Sequence, residues 1–220
     1  MGKTQIKNIN MTDYKQIKKG PLNQQGTESD KDWEKAAELN WQLNNCPPHK
    51  KEEKEKILKK LIGKIGNNTT ILTPFYCNLG KTIKIGKNCF INTNCTFLDP
   101  ETIEIGDNTL IAPGVQIYTA NHPSTTKERI IPQNKQQENK TYNYINKNQE
   151  FDETIEYTFT NFAQAVKIGK RCWIGGNTII LPGISIGDNT IIGAGSVVTK
   201  NIPSNVIAAG TPCKIIKKQD

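Results

Sequence analysis

The sequence predicts a mainly β solenoid of short strands, and three observations carry that prediction. Ile168, Ile174, Ile180, Ile186, Ile192 and Val198 stand six residues apart without a break. The same interval appears earlier as Ile65, Ile71, Cys77 and Ile83, then Ile85, Ile91, Phe97 and Ile103, then Ile105, Ile111 and Ile117. Between these positions lie turn formers, as in Ile105-Gly106-Asp107-Asn108 and Ile186-Gly187-Asp188-Asn189, where Gly or Asn tolerates a positive φ. A period of six is neither helical nor two-fold, so it requires short strands separated by turns. The breaks between the early runs are two-residue shifts, which a corner can absorb, so one stack is expected over 65–202.

Along the chain, residues 1–30 are polar and aperiodic and are expected to form an arm without regular structure. A helical cap follows over 31–64. Ser29 or Asp30 can cap a first helix through Trp33, Ala36, Ala37, Leu39, Asn40 and Leu43, which the run Asn44-Asn45-Cys46-Pro47-Pro48 stops. A second helix runs from Lys50 to Gly63, with Ile57, Leu58, Leu61 and Ile62 as its apolar stripe and Gly63 as terminator. The cap would cover the core and the unpaired strand edge of the first coil. A long insertion over about 121–165 interrupts the beat. It holds the polar tract Gln133 to Lys140, expected to be flexible, and then Tyr142, Tyr144, Phe151, Tyr157, Phe159 and Phe162, expected to dock the second half. Residues 203–220 form a basic tail.

The chain has 220 residues, 35% hydrophobic but only 7% aromatic, which suits a core of Ile and Val. Its formal charge is +8, yet only Arg129 and Arg171 among the 29 basic residues are arginine, which argues against nucleic acid as partner. A lysine-rich field instead suits solvation, an anionic ligand such as a phosphorylated cofactor, or both. Cys46, Cys77, Cys89, Cys95, Cys172 and Cys213 form no C-x-x-C pair and read as reduced core thiols. No run approaches the roughly 18 apolar residues of a membrane span, and the N-terminus lacks a signal-like apolar region. A soluble cytoplasmic protein is expected.

Four segments carry a resemblance: Ile111-Ala112-Pro113-Gly114-Val115-Gln116-Ile117-Tyr118-Thr119-Ala120-Asn121-His122-Pro123, Ile168 to Gly176, Ile192 to Lys200, and Ala209 to Lys218. With the helical cap they resemble the maltose and galactoside O-acetyltransferases of the hexapeptide-repeat superfamily. The combination of T-A-N-H-P with W-I-G-G is the sharp part of the match. The resemblance implies a left-handed parallel β-helix, a homotrimer with active sites between subunits, acetyl-CoA as co-substrate, no metal, and a small-molecule acceptor of the sugar class.

By residue type alone His122 is a base or a hydrogen-bonded surface histidine, and His49 a solvated turn residue. The resemblance makes His122 the general base. Imidazole suits that role because its ordinary titration lies closest to neutrality. Asn92, Asp99 and Asn78 fall at acceptor positions, Asn92 being otherwise a turn asparagine of the repeat; Gln25 falls near another. Trp173, by type either cleft-lining or core, and Gly176, through its backbone N–H, fall beside the thioester. By the same resemblance Ala194, Thr199 and Lys200 match positions that line a CoA channel, and Lys214 and Lys217 match positions that face the cofactor's phosphates. The resemblance also implies direct transfer, without an acyl-enzyme. Three other classes compete: an acetyltransferase for serine, an antibiotic or an amine; a noncatalytic trimeric scaffold; and a γ-carbonic-anhydrase-like zinc enzyme, which two histidines make improbable.

Overall fold

A computed structural model describes residues 15–16, 28–132 and 150–219. Helices α1 (Glu28–Asn45) and α2 (Lys51–Leu61) precede the solenoid. Ser29 and Asp30 lie inside the first turn of α1 rather than before it. Glu52 and Glu53 in the first turn of α2 and Lys59 and Lys60 in its last complement the helix dipole. Ile57, Leu61 and Ile62 are buried and Leu58 is partly buried, so the expected stripe faces the core. Gly63 is not a left-handed terminator. The helix ends on extended Ile62, and a Cβ on Gly63 would stand 2.1 Å from the Lys81 carbonyl oxygen. Glycine is there because the next coil passes too close for a side chain.

The solenoid is a three-sided parallel β-helix. One face stacks Lys64–Ile65, Ile83–Ile85, Ile103–Ile105, Val166–Ile168 and Ser185–Ile186. The second stacks Thr70–Ile71, Phe90–Ile91, Leu110–Ile111, Trp173–Ile174, Ile191–Ile192 and Val206–Ala209, and the third Phe75–Cys77, Cys95–Leu98, Gln116–Tyr118, Ile179–Ile180 and Val197–Val198. Neighbouring strands within these faces are parallel. The six-residue series points inward: Ile91, Phe97, Ile103, Ile174, Ile180, Ile192 and Val198 are fully buried. Phe75 and Phe97 meet edge to face, with centroids 5.1 Å apart, at the capped end.

Ile65 pairs with Ile85 and Ile85 with Ile105, whereas Ile168 pairs with Ile186, so early coils are two residues longer than the later one. The surplus sits at the corner from the third face to the first. The solenoid also runs past the expected boundary at 202. Val206–Ala209 adds a parallel strand to the second face, and Lys214–Lys218 folds back antiparallel upon it, so the basic tail is a strand that covers the last edge.

The appendages carry backbone pairing that the sequence does not announce. Within the arm, Lys15–Gln16 pair antiparallel with Phe162–Ala163, so the arm is not wholly without regular structure. The described part of the insertion is tied by backbone ladders: Ala120–Asn121 pair with Phe162–Ala163, and Ile130–Pro132 with Tyr157–Phe159. Phe151 and Tyr157 stack edge-on against each other, and Phe159 is 55% exposed. The flexibility expected of 133–140, and the roles of Tyr142 and Tyr144, lie outside the described residues.

Candidate active site

His122 sits where the chain leaves the third face for the insertion, and its neighbours in the motif each fix it in a different way. Thr119 is fully buried; its hydroxyl donates to the Leu98 carbonyl at 3.0 Å and accepts from the Glu101 N–H at 3.0 Å, joining this coil to the previous one. The Asn121 side chain accepts the His122 N–H at 2.8 Å. Pro123 is buried, while His122 is exposed. Across the insertion, His122 Nδ1 lies 3.0 Å from the Thr160 carbonyl oxygen. A carbonyl only accepts, so this bond requires the proton on Nδ1 and leaves the Nε2 lone pair open.

The acceptor candidates divide. Asp99 is fully buried, and its carboxylate accepts the N–H groups of Asn78 at 2.7 Å, Leu79 at 2.9 Å and Gly80 at 2.7 Å, as well as the Thr82 hydroxyl. It holds the long corner of the early coils in shape. Asn78, half-buried beside it, accepts at Oδ1 from Trp33 Nε1 at 3.2 Å. Asn92 is half-buried, and its Oδ1 accepts the Thr93 N–H at 2.8 Å. The positive φ of that turn belongs to Asn94, so the turn does not call for asparagine at 92. Gln25 lies outside the described residues.

The thioester and cofactor candidates lie elsewhere. Trp173 points outward, 52% exposed, between Leu110 and Ile191 on the second face, which removes core packing as its role. Gly176 is half-buried at the corner from the second face to the third, and the N–H of Gly195, next to exposed Ala194, donates to its carbonyl at 2.8 Å. Thr199 and Lys200 are exposed at the far end of the strand Val197–Val198, and Lys214 and Lys217 on the exposed closing strand. None of the three lysines is in an ion pair among the described residues.

Within one chain, therefore, Asn78, Asp99 and His122 share one corner of the prism, and Asn92, Gly176 and Ala194 share another. A face of five or six residues separates them, on the order of 15 Å at about 3.3 Å per residue. No side chain spans that distance. The cysteines are all unpaired, and burial pushes up the thiols of Cys77, Cys89, Cys172 and Cys213, and that of Cys95 to about 11. These five are poor thiolates near neutral pH. Sequence reasoning missed Thr160 and Arg129 in this site. Thr160 acts through a backbone carbonyl, which leaves no trace in residue type, and Arg129 reads as an ordinary surface cation.

Similarity to known proteins agrees with this geometry. The maltose acetyltransferase hexapeptide capping motif matches residues 23–66, the hexapeptide repeat of succinyl-transferase 82–119, and the bacterial transferase hexapeptide 165–200. The galactoside O-acetyltransferase of Escherichia coli K12 is 37% identical over 180 residues, covering 82% of this chain and 75% of that one. A maltose O-acetyltransferase structure from Clostridium difficile 630 superposes with a TM-score of 0.74 at 39% identity, covering 89% of this chain and 90% of the other. A galactoside acetyltransferase in complex with coenzyme A gives 0.74 at 31% identity, covering 90% and 85%. The six-residue beat, the helical cap, the fold and these identities together show that the chain belongs to the galactoside and maltose O-acetyltransferase family of left-handed β-helix, hexapeptide-repeat acetyltransferases.

Proposed function

We propose that the chain transfers acetyl from acetyl-CoA directly to a sugar hydroxyl, with His122 Nε2 as general base. The observation that carries this is the 3.0 Å contact of Nδ1 with the Thr160 carbonyl on an exposed histidine, which leaves Nε2 as the basic atom. Nε2 takes the hydroxyl proton as the oxygen attacks the thioester carbon. The tetrahedral oxyanion rests on the Gly176 N–H, then collapses, breaking the C–S bond. The departing thiolate of CoA takes the proton back from the imidazolium.

Sugar as acceptor rests on the names of the relatives, which act on galactosides and maltose. Binding of CoA rests on the relative solved with it and on Lys200, Lys214 and Lys217, which are in no ion pair among the described residues and suit its phosphates. The separation of His122 from Gly176 supports a homotrimer in which one chain's His122 corner meets a neighbour's Gly176 corner. The reaction belongs in the cytoplasm, where acetyl-CoA is available. Asn92 and Asn78 are proposed to orient the acceptor, and Asp99 to shape that site through Asn78, Leu79 and Gly80.

The test is free-thiol release from acetyl-CoA across maltose, glucose, galactosides, serine and aminoglycosides. We expect release with sugars and a loss of about 10²- to 10⁴-fold in His122→Ala with CoA affinity unchanged. Release only with serine or an aminoglycoside would move the acceptor to a non-sugar, and none with any acceptor would favour a scaffold.

A further inference from the structure

We infer that Arg129 is a positioning residue that sets the tautomer and angle of His122 through a closed ring of hydrogen bonds. The inference rests on the reading of His122 as the base. Arg129 Nη1 donates to the carbonyls of Pro123 at 3.1 Å and Ser124 at 3.3 Å, the two residues that follow the histidine. Its own backbone carbonyl accepts the Thr160 N–H at 2.9 Å, and the Thr160 carbonyl returns to His122 Nδ1 at 3.0 Å. One residue thus ties both sides of the imidazole: its side chain holds the segment leaving His122, and its backbone holds the peptide that accepts from the ring.

Local structure keeps Arg129 in place. It closes the short helix α3 (Thr126–Arg129), whose cap Thr125 accepts the Glu128 N–H at 3.4 Å and donates to the Glu128 carboxylate at 2.6 Å. The Arg129 N–H donates to the Thr125 carbonyl at 3.0 Å, and the ladder Ile130–Pro132 with Tyr157–Phe159 begins at the next residue. The Thr160 carbonyl has no side chain through which to be tuned, so its aim depends on this register. A free imidazole exchanges its proton between both nitrogens; the Thr160 carbonyl suppresses that exchange only while it stays within hydrogen-bonding distance.

Only two histidines, His49 and His122, are present, so nitrogen NMR on ¹⁵N-histidine-labelled protein resolves the tautomer directly, with His49→Gln for assignment. Wild type should show His122 protonated at Nδ1. Arg129→Ala should show both tautomers, and its kcat for acetyl transfer should fall about 10- to 100-fold with KM for acetyl-CoA unchanged. Arg129→Lys, which keeps the charge and the stem, should recover part of both and serves if the alanine variant does not fold. A wild-type tautomer in folded Arg129 variants, or an unchanged kcat, overturns the inference. Full activity in His122→Ala overturns instead the reading of the base, which the NMR result does not depend on.

Discussion

Asn68, Asn88, Asn94, Asn108, Asn177, Asn189 and Asn205 all take a positive φ, and the one other non-glycine among the described residues that does so is Arg171, at 55°. The turns divide labour in a way the sequence does not display. In the Gly-x-Asn turns Asn supplies the left-handed residue, while Gly106 and Gly187 are there for clearance: a Cβ would stand 2.7 Å from the Gly169 carbonyl carbon and 2.4 Å from the Ser204 nitrogen; in other turns Gly114, Gly183 and Gly195 take the positive φ themselves. Gly and Asn are both turn formers, so composition alone reads them as interchangeable. The asparagines also bond along the stack, Asn68 to Asn88 at 3.0 Å, Asn88 to Asn108 at 3.1 Å, and Asn189 to Asn205 at 2.9 Å. Arg171 interrupts this column, and its exposed contact with Asp188 at 3.9 Å contributes little. Arg171→Asn should relieve about 1 kcal/mol of left-handed strain and raise the melting temperature by about 2–4 °C. A scanning calorimetry trace with unchanged or lower melting temperature would contradict this.

At the scale of elements, α1 does more than cover apolar surface. Asn40 donates to the Cys77 carbonyl at 2.9 Å and accepts the Cys77 N–H at 3.2 Å, and Asn44 makes the same pair with Phe75 at 2.9 Å in both directions. Phe75–Cys77 is the edge strand of the third face, so two side-chain amides stand in for the missing neighbour. The helix itself was legible from the spacing of Ala36, Leu39 and Leu43; the amides were not, because Asn44 beside Asn45 and Pro47 reads as a stop signal. Asn44→Ala should lower stability by about 1–3 kcal/mol by leaving strand groups unpaired, whereas Asn45→Ala, whose amide donates to the Trp41 carbonyl within its own helix, should be near neutral. Equal midpoints for the two variants in urea unfolding would count against it. The ladders of the insertion escaped sequence reasoning for a related reason: Ile131 and its partner Thr158 are separated by a polar tract that carries no strand pattern.

For the whole molecule, the beat of Ile and Val was enough to foresee the stack, and the T-A-N-H-P segment nominates His122 as the candidate base. What they could not show is where a corner falls. A count of six places Gly176 and His122 on one solenoid but says nothing of the face between them, and Asp99 looks like an acceptor contact until its carboxylate is seen to be occupied by Asn78, Leu79 and Gly80. The most direct test of acetyl transfer at a site shared between chains is complementation. His122→Ala and Gly176→Val proteins, each assembled and each inactive alone, are unfolded together, refolded as mixed oligomers and assayed for thiol release from acetyl-CoA with a sugar acceptor. Activity should return in the mixture, because some sites then pair an intact His122 from one chain with an intact Gly176 from its neighbour. A mixture that assembles but stays as inactive as its parents would contradict it.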